Sequence, residues 1–275
     1  NNVESIEDQF IHTQFFALID KNGKVRGGVY DGLKSDEMKI CGAQVMDTEK
    51  SIVYNVKAKA VINATGVFVD DILQMDKPGS AKTICVSQGV HVVLDKKFYP
   101  SEHAMMIPKT SDGRVLFAVP WHGKVVLGTT DTPVEQASLE PVALENEINF
   151  ILETAAGFLT EKPTRNDVLS VFAGLRPLAA PQGTDQKTKE ISRSHKIIVS
   201  ASNLFTILGG KWTTYRAMAE DVLEKCADKH LLERTRAGVT TNLRLVGGDE
   251  VRGERISMSQ GQGLHSYGSE ADAVN

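Results

Sequence analysis

The 275 residues hold 31 Lys and Arg against 35 Asp and Glu, a formal net charge of -4, with 41% hydrophobic and 24% charged residues. That is the balance of a soluble globular chain long enough for one large domain or two ordinary ones. The slight acidity, with no basic cluster, excludes a general nucleic-acid binder, and the longest apolar runs are too short to cross a bilayer.

In chain order, the first third reads as a β-meander. Phe15 to Ile19, Val25 to Tyr30, Ile40 to Met46 and Ser51 to Val56 are strand candidates, with a turn at Asp20 to Lys24. A buried-looking strand, Ala58 to Gly66, ends in the small residues Ala64-Thr65-Gly66. Those residues either admit a cofactor's close approach or serve packing alone. A short helix over Val69 to Met75 and a linker at Lys77 to Ser80 follow.

Short strands fill the middle: Ile84 to Val86, Val90 to Leu94, Met105 to Ile107, Val115 to Val119 and Val125 to Leu127, with a turn at Pro120 to Lys124. Gly128 to Thr132 is either a ligand-binding strand end or a plain turn. One amphipathic helix is expected from about Pro141 to Leu159. Its stripe is Leu144, Ile148, Ile151, Leu152, Ala155 and Phe158, opposite Glu145, Asn149 and Glu153. Strands return at Val168 to Ala173, Lys196 to Val199 and Asn203 to Leu208. From Gly247 to Asn275 apolar periodicity is lost, and a disordered or truncated tail is expected. Mixed strands with few helices point to an α+β fold.

Among polar candidates, His91 sits between valines, as a hydrogen-bonded core residue or as a general base, since a free imidazole titrates near pH ~6.5. Arg176, just past an apolar run, and Arg193, in a polar loop, suit a clamp for phosphate or carboxylate. Gly209-Gly210-Lys211 joins a strand to a helix pattern containing Met218, Val222, Leu223 and Cys226, with Thr213 and Thr214 at the helix entrance. It departs from a Walker A loop, because Phe205 and Trp212 stand where that loop needs Gly and Ser or Thr. The turn is either a ligand cradle or a tight strand-to-helix connection. Cys41, Cys85 and Cys226 form neither a disulfide framework nor a zinc site, which fits a reducing compartment. The seven histidines show no metal-ligand spacing, so no metal site is expected.

Taken in order, VINATG (61–66), QGVHVVLD (88–95), VPW with LGTTD (119–121 and 127–131), FAGLRPL (172–178), ISRSH (191–195) and LGGKWTTYRAMAE (208–220) resemble the FAD-dependent glycerol-3-phosphate dehydrogenases. The resemblance implies a glutathione-reductase-type FAD domain with an inserted mixed-sheet substrate-binding domain. It divides the chain into 1–79 of the FAD domain, 80–200 for substrate, 201–229 as the last FAD-domain strand and helix, and 230–275 opening a C-terminal region. It implies oxidation of sn-glycerol 3-phosphate, with electrons passed to a quinone, to oxygen or to another acceptor. His91 is then the base, Arg176 and Arg193 hold substrate, and Arg176 and Lys211 act in catalysis. Ala64, Thr65, Gly66, Gly209, Gly210, Lys211, Thr213 and Thr214 would bind FAD.

The family's Gly-x-Gly-x-x-Gly loop, its arginine-rich substrate segment and its C-terminal helical domain are absent from the 275 residues. A fragment that binds FAD weakly or not at all is therefore expected. No signal-peptide pattern is seen, and the family implies a cytoplasmic location with peripheral attachment to the inner face of the cell membrane. Two alternatives stand: a flavin-dependent amino-acid or 2-hydroxy-acid oxidoreductase, and a non-catalytic module on the same sheet.

Overall fold

The computed structural model describes residues 10–11, 17–19, 25–35, 37–47, 50–108, 110, 113–180, 194–234, 238, 240–248, 257, 259–260 and 263–274. The expected turn at 20–24 and the residue Arg193 lie outside them.

Strands β1 (Phe10–Ile11), β2 (Ala17–Ile19), β3 (Val25–Lys34), β4 (Ile40–Asp47), β5 (Ile52–Lys57) and β6 (Val61–Asn63) precede helix α1 (Val69–Asp76). Then come β7 (Ile84–Asp95), β8 (Met105–Ile107), β9 (Leu116–Trp121), β10 (Lys124–Gly128), β11 (Thr132–Val134) and helix α2 (Glu145–Ala155). Next are β12 (Ser170–Ala179), β13 (Lys196–Val199), β14 (Leu204–Leu208) and helix α3 (Tyr215–Asp228), with a short α4 (Ala271–Val274) near the end.

The chain forms two compact units. The first comprises Asn1–Ser87, Pro133–Ala137 and Arg176–Gly238; the second comprises Gln88–Thr132, Ser138–Leu175 and Val239–Asn275.

In the first unit, β1 to β5 form an antiparallel sheet in sequence order, the meander that short strands and turn residues predict. A second sheet runs β13-β14-β6, and its β14–β6 pair is parallel, with Phe205 opposite Ile62 and Thr206 opposite Asn63. Parallel neighbours must be buried on both faces, which explains the apolar run of β14. Leu204 packs with Ile40 and Leu73, Leu208 with Val69 and Ile84, and Phe205 with Val222 and Cys226. At α1, the Asp70 carboxylate accepts from the Thr83 backbone N–H at 3.0 Å and hydroxyl at 2.6 Å, which fixes the helix start. On α3, Val222 and Cys226 are buried while Leu223 is exposed, so the apolar stripe is narrower than expected.

The second unit is built on the six-stranded sheet β11-β7-β10-β9-β8, with β12 pairing β7. Period-two alternation separates its faces. Val90, Val92, Leu94, Leu116, Ala118, Val125 and Leu127 point into a core closed by Ile148, Ile151, Leu152 and Ala155 of α2. Helix α2 is shorter than its periodicity suggests: Leu144 and Phe158 lie beyond its ends and are exposed.

Three further expectations are corrected. The two strands expected at 84–86 and 90–94 are one, because Ser87 and Gln88 are buried within it and Gln88 donates to the Glu147 carboxylate at 2.8 Å. Arg176 lies inside β12, not past a strand end; β12 pairs β7, and a strand paired on one side tolerates Pro177. Among the described residues from 247 onward there is structure: Leu264–Glu270 forms 3-10 turns broken at Gly268 (φ 56°, ψ -128°) and leads into α4, pieces too short to show periodicity.

Candidate functional site

In the first unit the loops after β6 and β14 leave the carboxyl ends of two parallel strands, the place where open α/β sheets receive ligands. After β14, Gly209 (φ 65°) and Gly210 (φ 87°) adopt left-handed conformations. A Cβ on Gly210 would stand 2.5 Å from Met218 Sδ, and one on Gly209 would stand 3.0 Å from the Ser194 carbonyl oxygen. Both glycines are thus demanded by the turn and its packing, whatever else approaches. The following 3-10 turn Trp212–Thr214 leads into α3. Lys211 and Thr213 are exposed. The Thr214 hydroxyl donates to the Lys211 carbonyl at 3.0 Å, so its proton serves the turn. Trp212 is 88% exposed beside Tyr215.

After β6, fully buried Asn63 organises the loop. Its amide donates to the Val69 carbonyl at 2.9 Å, and its side-chain oxygen accepts from the Thr65 hydroxyl at 2.8 Å. Thr65 therefore contributes backbone, not a free hydroxyl proton. Gly66 (φ 61°) differs from the other two glycines, since nothing lies within 4 Å of the position its Cβ would take. Open space at Gly66, exposed Ala64 and exposed Lys211 suit a flat, electron-accepting group such as a flavin ring. Half-buried Arg176 belongs to this unit. So does His195, whose Nε2 lies 2.7 Å from Asp221 of α3.

In the second unit, the sheet face away from α2 lines a pocket of about 840 Å³. Phe117, Val119, Trp121, Val126 and Phe172 form its apolar wall, and His91, His122 and Lys124 bring polar groups to it. His91 stacks on Phe172, with centroids 4.9 Å apart and planes 12° from parallel. Opposite it in the β7–β10 ladder is Gly128.

Beneath this face lies a carboxylate that the periodicity argument passes over. Glu147 is buried and accepts from the Gln88 amide (2.8 Å), the Thr130 hydroxyl (2.9 Å), the Thr132 hydroxyl (2.6 Å) and the Leu144 backbone N–H (3.0 Å). Burial alone would raise its pKa. The hydrogen bonds from Thr132, Leu144, Gln88 and Thr130 outweigh that and hold it below the ordinary 4.5. Its sequence signal is its place three residues after Leu144, where a helix's first turn favours an acid returning to the preceding N–H.

The structure thus gathers Ala64, Thr65, Gly66, Gly209, Gly210, Lys211, Thr213 and Thr214 at one end of the parallel pair, and sets His91 in the pocket of the other unit. Among the described residues, no cluster of His, Cys, Asp and Glu could hold a metal ion, and no helix is long and apolar enough to cross a membrane.

Comparison with known proteins defines the class. Residues 17–224 match the family described as FAD dependent oxidoreductase, and the chain belongs to that family. Within it, the chain is 40% identical over 245 residues to a probable mitochondrial glycerol-3-phosphate dehydrogenase of Caenorhabditis elegans, covering 88% of this chain and 33% of that protein. It is 39% identical over 220 residues to the human mitochondrial glycerol-3-phosphate dehydrogenase, covering 79% of this chain and 30% of that protein. A crystal structure of the glycerol-3-phosphate dehydrogenase from Bacillus halodurans complexed with FAD superposes with a TM-score of 0.68 at 31% identity, over 81% of this chain and 42% of that one. The chain thus spans about a third of the length of the curated relatives it matches.

Proposed function

We propose that the whole protein is an FAD-dependent glycerol-3-phosphate dehydrogenase that oxidises sn-glycerol 3-phosphate to dihydroxyacetone phosphate. The observation that carries this reading is the 40% identity to a protein of that name over 88% of this chain. In this reading the six-stranded sheet unit is the inserted substrate-binding domain, and the parallel pair β6–β14 belongs to the FAD-binding part.

FAD, when bound, would supply the hydride acceptor for oxidation of the substrate's secondary alcohol. The chain's own residues do the rest. His91 takes the proton of the C2 hydroxyl, a task suited to an imidazole near neutrality. Arg176 and Arg193 donate to the substrate phosphate, since a guanidinium fork meets two phosphate oxygens at once. Lys211, exposed at the turn before α3, would place positive charge beside a bound flavin. The open space beside Gly66 would leave room for the flavin to approach the backbone. A quinone or other electron acceptor, a cytoplasmic location and peripheral attachment to the membrane belong to the same proposal.

The test is anaerobic titration of the full-length protein, reconstituted with FAD. Glycerol 3-phosphate should bleach the flavin absorption, while a 2-hydroxy acid or amino acid should not. Bleaching by the carboxylate substrates alone would overturn the phosphate reading, and bleaching by none would remove the enzymatic one.

A further inference from the structure

The His91 ring sits where a side chain on its neighbour would forbid it. Gly128 is opposite His91 in the antiparallel β7–β10 register, and the imidazole leans over it. A Cβ at position 128 would stand 2.3 Å from His91 Cδ2, 2.9 Å from Cγ and 3.0 Å from Nε2. Ordinary contact begins at 3.4 Å, so any residue larger than glycine would push the ring back by about 1.1 Å. Gly128 is buried and has no positive φ. On the β12 strand, Phe172 stacks on the same ring.

The strands that make this slot are pinned. The Thr130 hydroxyl accepts from the Val90 N–H at 3.0 Å and donates to Glu147 at 2.9 Å. One buried carboxylate thus ties the residue before His91 to the segment after Gly128.

We propose that Gly128 and Phe172 are positioning residues for His91, closing a slot one ring thick that fixes the imidazole on the open face of the sheet. The catalytic consequence rests on the reading of His91 as the proton acceptor; the slot itself does not. An imidazole held in one orientation keeps its acceptor nitrogen aimed at a bound alcohol. A misplacement of ~1 Å costs on the order of 10²-fold in rate.

The test uses the full chain with ¹⁵N- and ¹³C-labelled histidine, and reads the His91 ring signals by NMR. In the wild type, the ring protons are shifted by the Phe172 ring current. Phe172→Leu should abolish that shift and Phe172→Tyr should retain it. Gly128→Ala should move the His91 signals, whereas Gly157→Ala, at a site with nothing within 4 Å, should leave them unchanged. Should Gly128→Ala fail to fold, Phe172→Leu carries the test alone, because Phe172 is half-exposed and no core depends on it. In the whole enzyme, both disruptive variants should lower kcat on the order of 10²-fold with KM little changed. Unaltered His91 signals in Phe172→Leu and in folded Gly128→Ala would overturn the slot. Moved signals with unaltered turnover would leave the slot standing and refute His91 as the proton acceptor.

Discussion

Glu147 offers the sharpest test of how the second unit is held together. Replacing it with leucine removes the acceptor for four donors at once. Thr132 and Leu144 lie where water can reach them, whereas Thr130 and Gln88 are buried. Gln88 also donates to the Val142 carbonyl at 3.1 Å, so it loses part of its satisfaction, and Thr130 loses its acceptor. A hydrogen bond to a charged group contributes about 1.5–3 kcal/mol, so two buried losses give a destabilisation of about 4 kcal/mol. Glu147→Gln keeps one oxygen but turns an NH₂ toward donors, and should cost about 2 kcal/mol. Urea unfolding followed by Trp121 fluorescence, in a Trp212→Phe background, reports this unit, since the sequence holds only these two tryptophans. The acid limb gives a second reading. The folded-state pKa of Glu147 is depressed, so its stabilisation is complete above about pH 4.5 and is lost as pH falls through the lower folded value. The gap between wild type and Glu147→Gln should therefore close in acid. A wild-type midpoint in both variants at pH 7 would show that the carboxylate holds nothing.

Ile151→Ala, fully buried where α2 meets the sheet, should destabilise the same unit by about 2–5 kcal/mol in the same urea experiment. Lys211→Met should leave thermal stability within about 0.5 kcal/mol, because the side chain is exposed, yet lower glycerol 3-phosphate turnover in the whole enzyme. The 275-residue chain, lacking a Gly-x-Gly-x-x-Gly loop for the pyrophosphate, should purify without the visible absorption of oxidised flavin. A stoichiometric yellow preparation would refute that expectation.

Much of the frame could be read from local pattern. The stripe Ile148, Ile151, Leu152 and Ala155 located α2, and Leu208-Gly209-Gly210 located the strand-to-helix turn. What escaped is non-local. Ser87 and Gln88 look like a strand break until the distant Glu147 is seen to satisfy Gln88. The glycines at 66, 209 and 210 look alike in sequence, yet only Gly66 faces open space. Gly128 read as part of a ligand-binding strand end or a plain turn, because the ring that crowds it lies more than 30 positions earlier in the chain. The Thr65 and Thr214 hydroxyls looked free to bind a ligand until their acceptors, Asn63 Oδ1 and the Lys211 carbonyl, were in view.

The parallel pairing of β6 with β14 also constrains how the chain matures. β6 ends at Asn63 and β14 begins at Leu204, so 140 residues must be synthesised before the pair can close. At about 5–20 residues per second, β6 waits roughly 7–28 s on the ribosome without its partner. The strands of the six-stranded sheet, β7 to β12, are all encoded within that interval, so their pairing partners are made before β14 is. Nascent-chain arrest before Leu204 should therefore leave β6 unpaired and open to protease while the strands on either side of it in sequence are already able to pair.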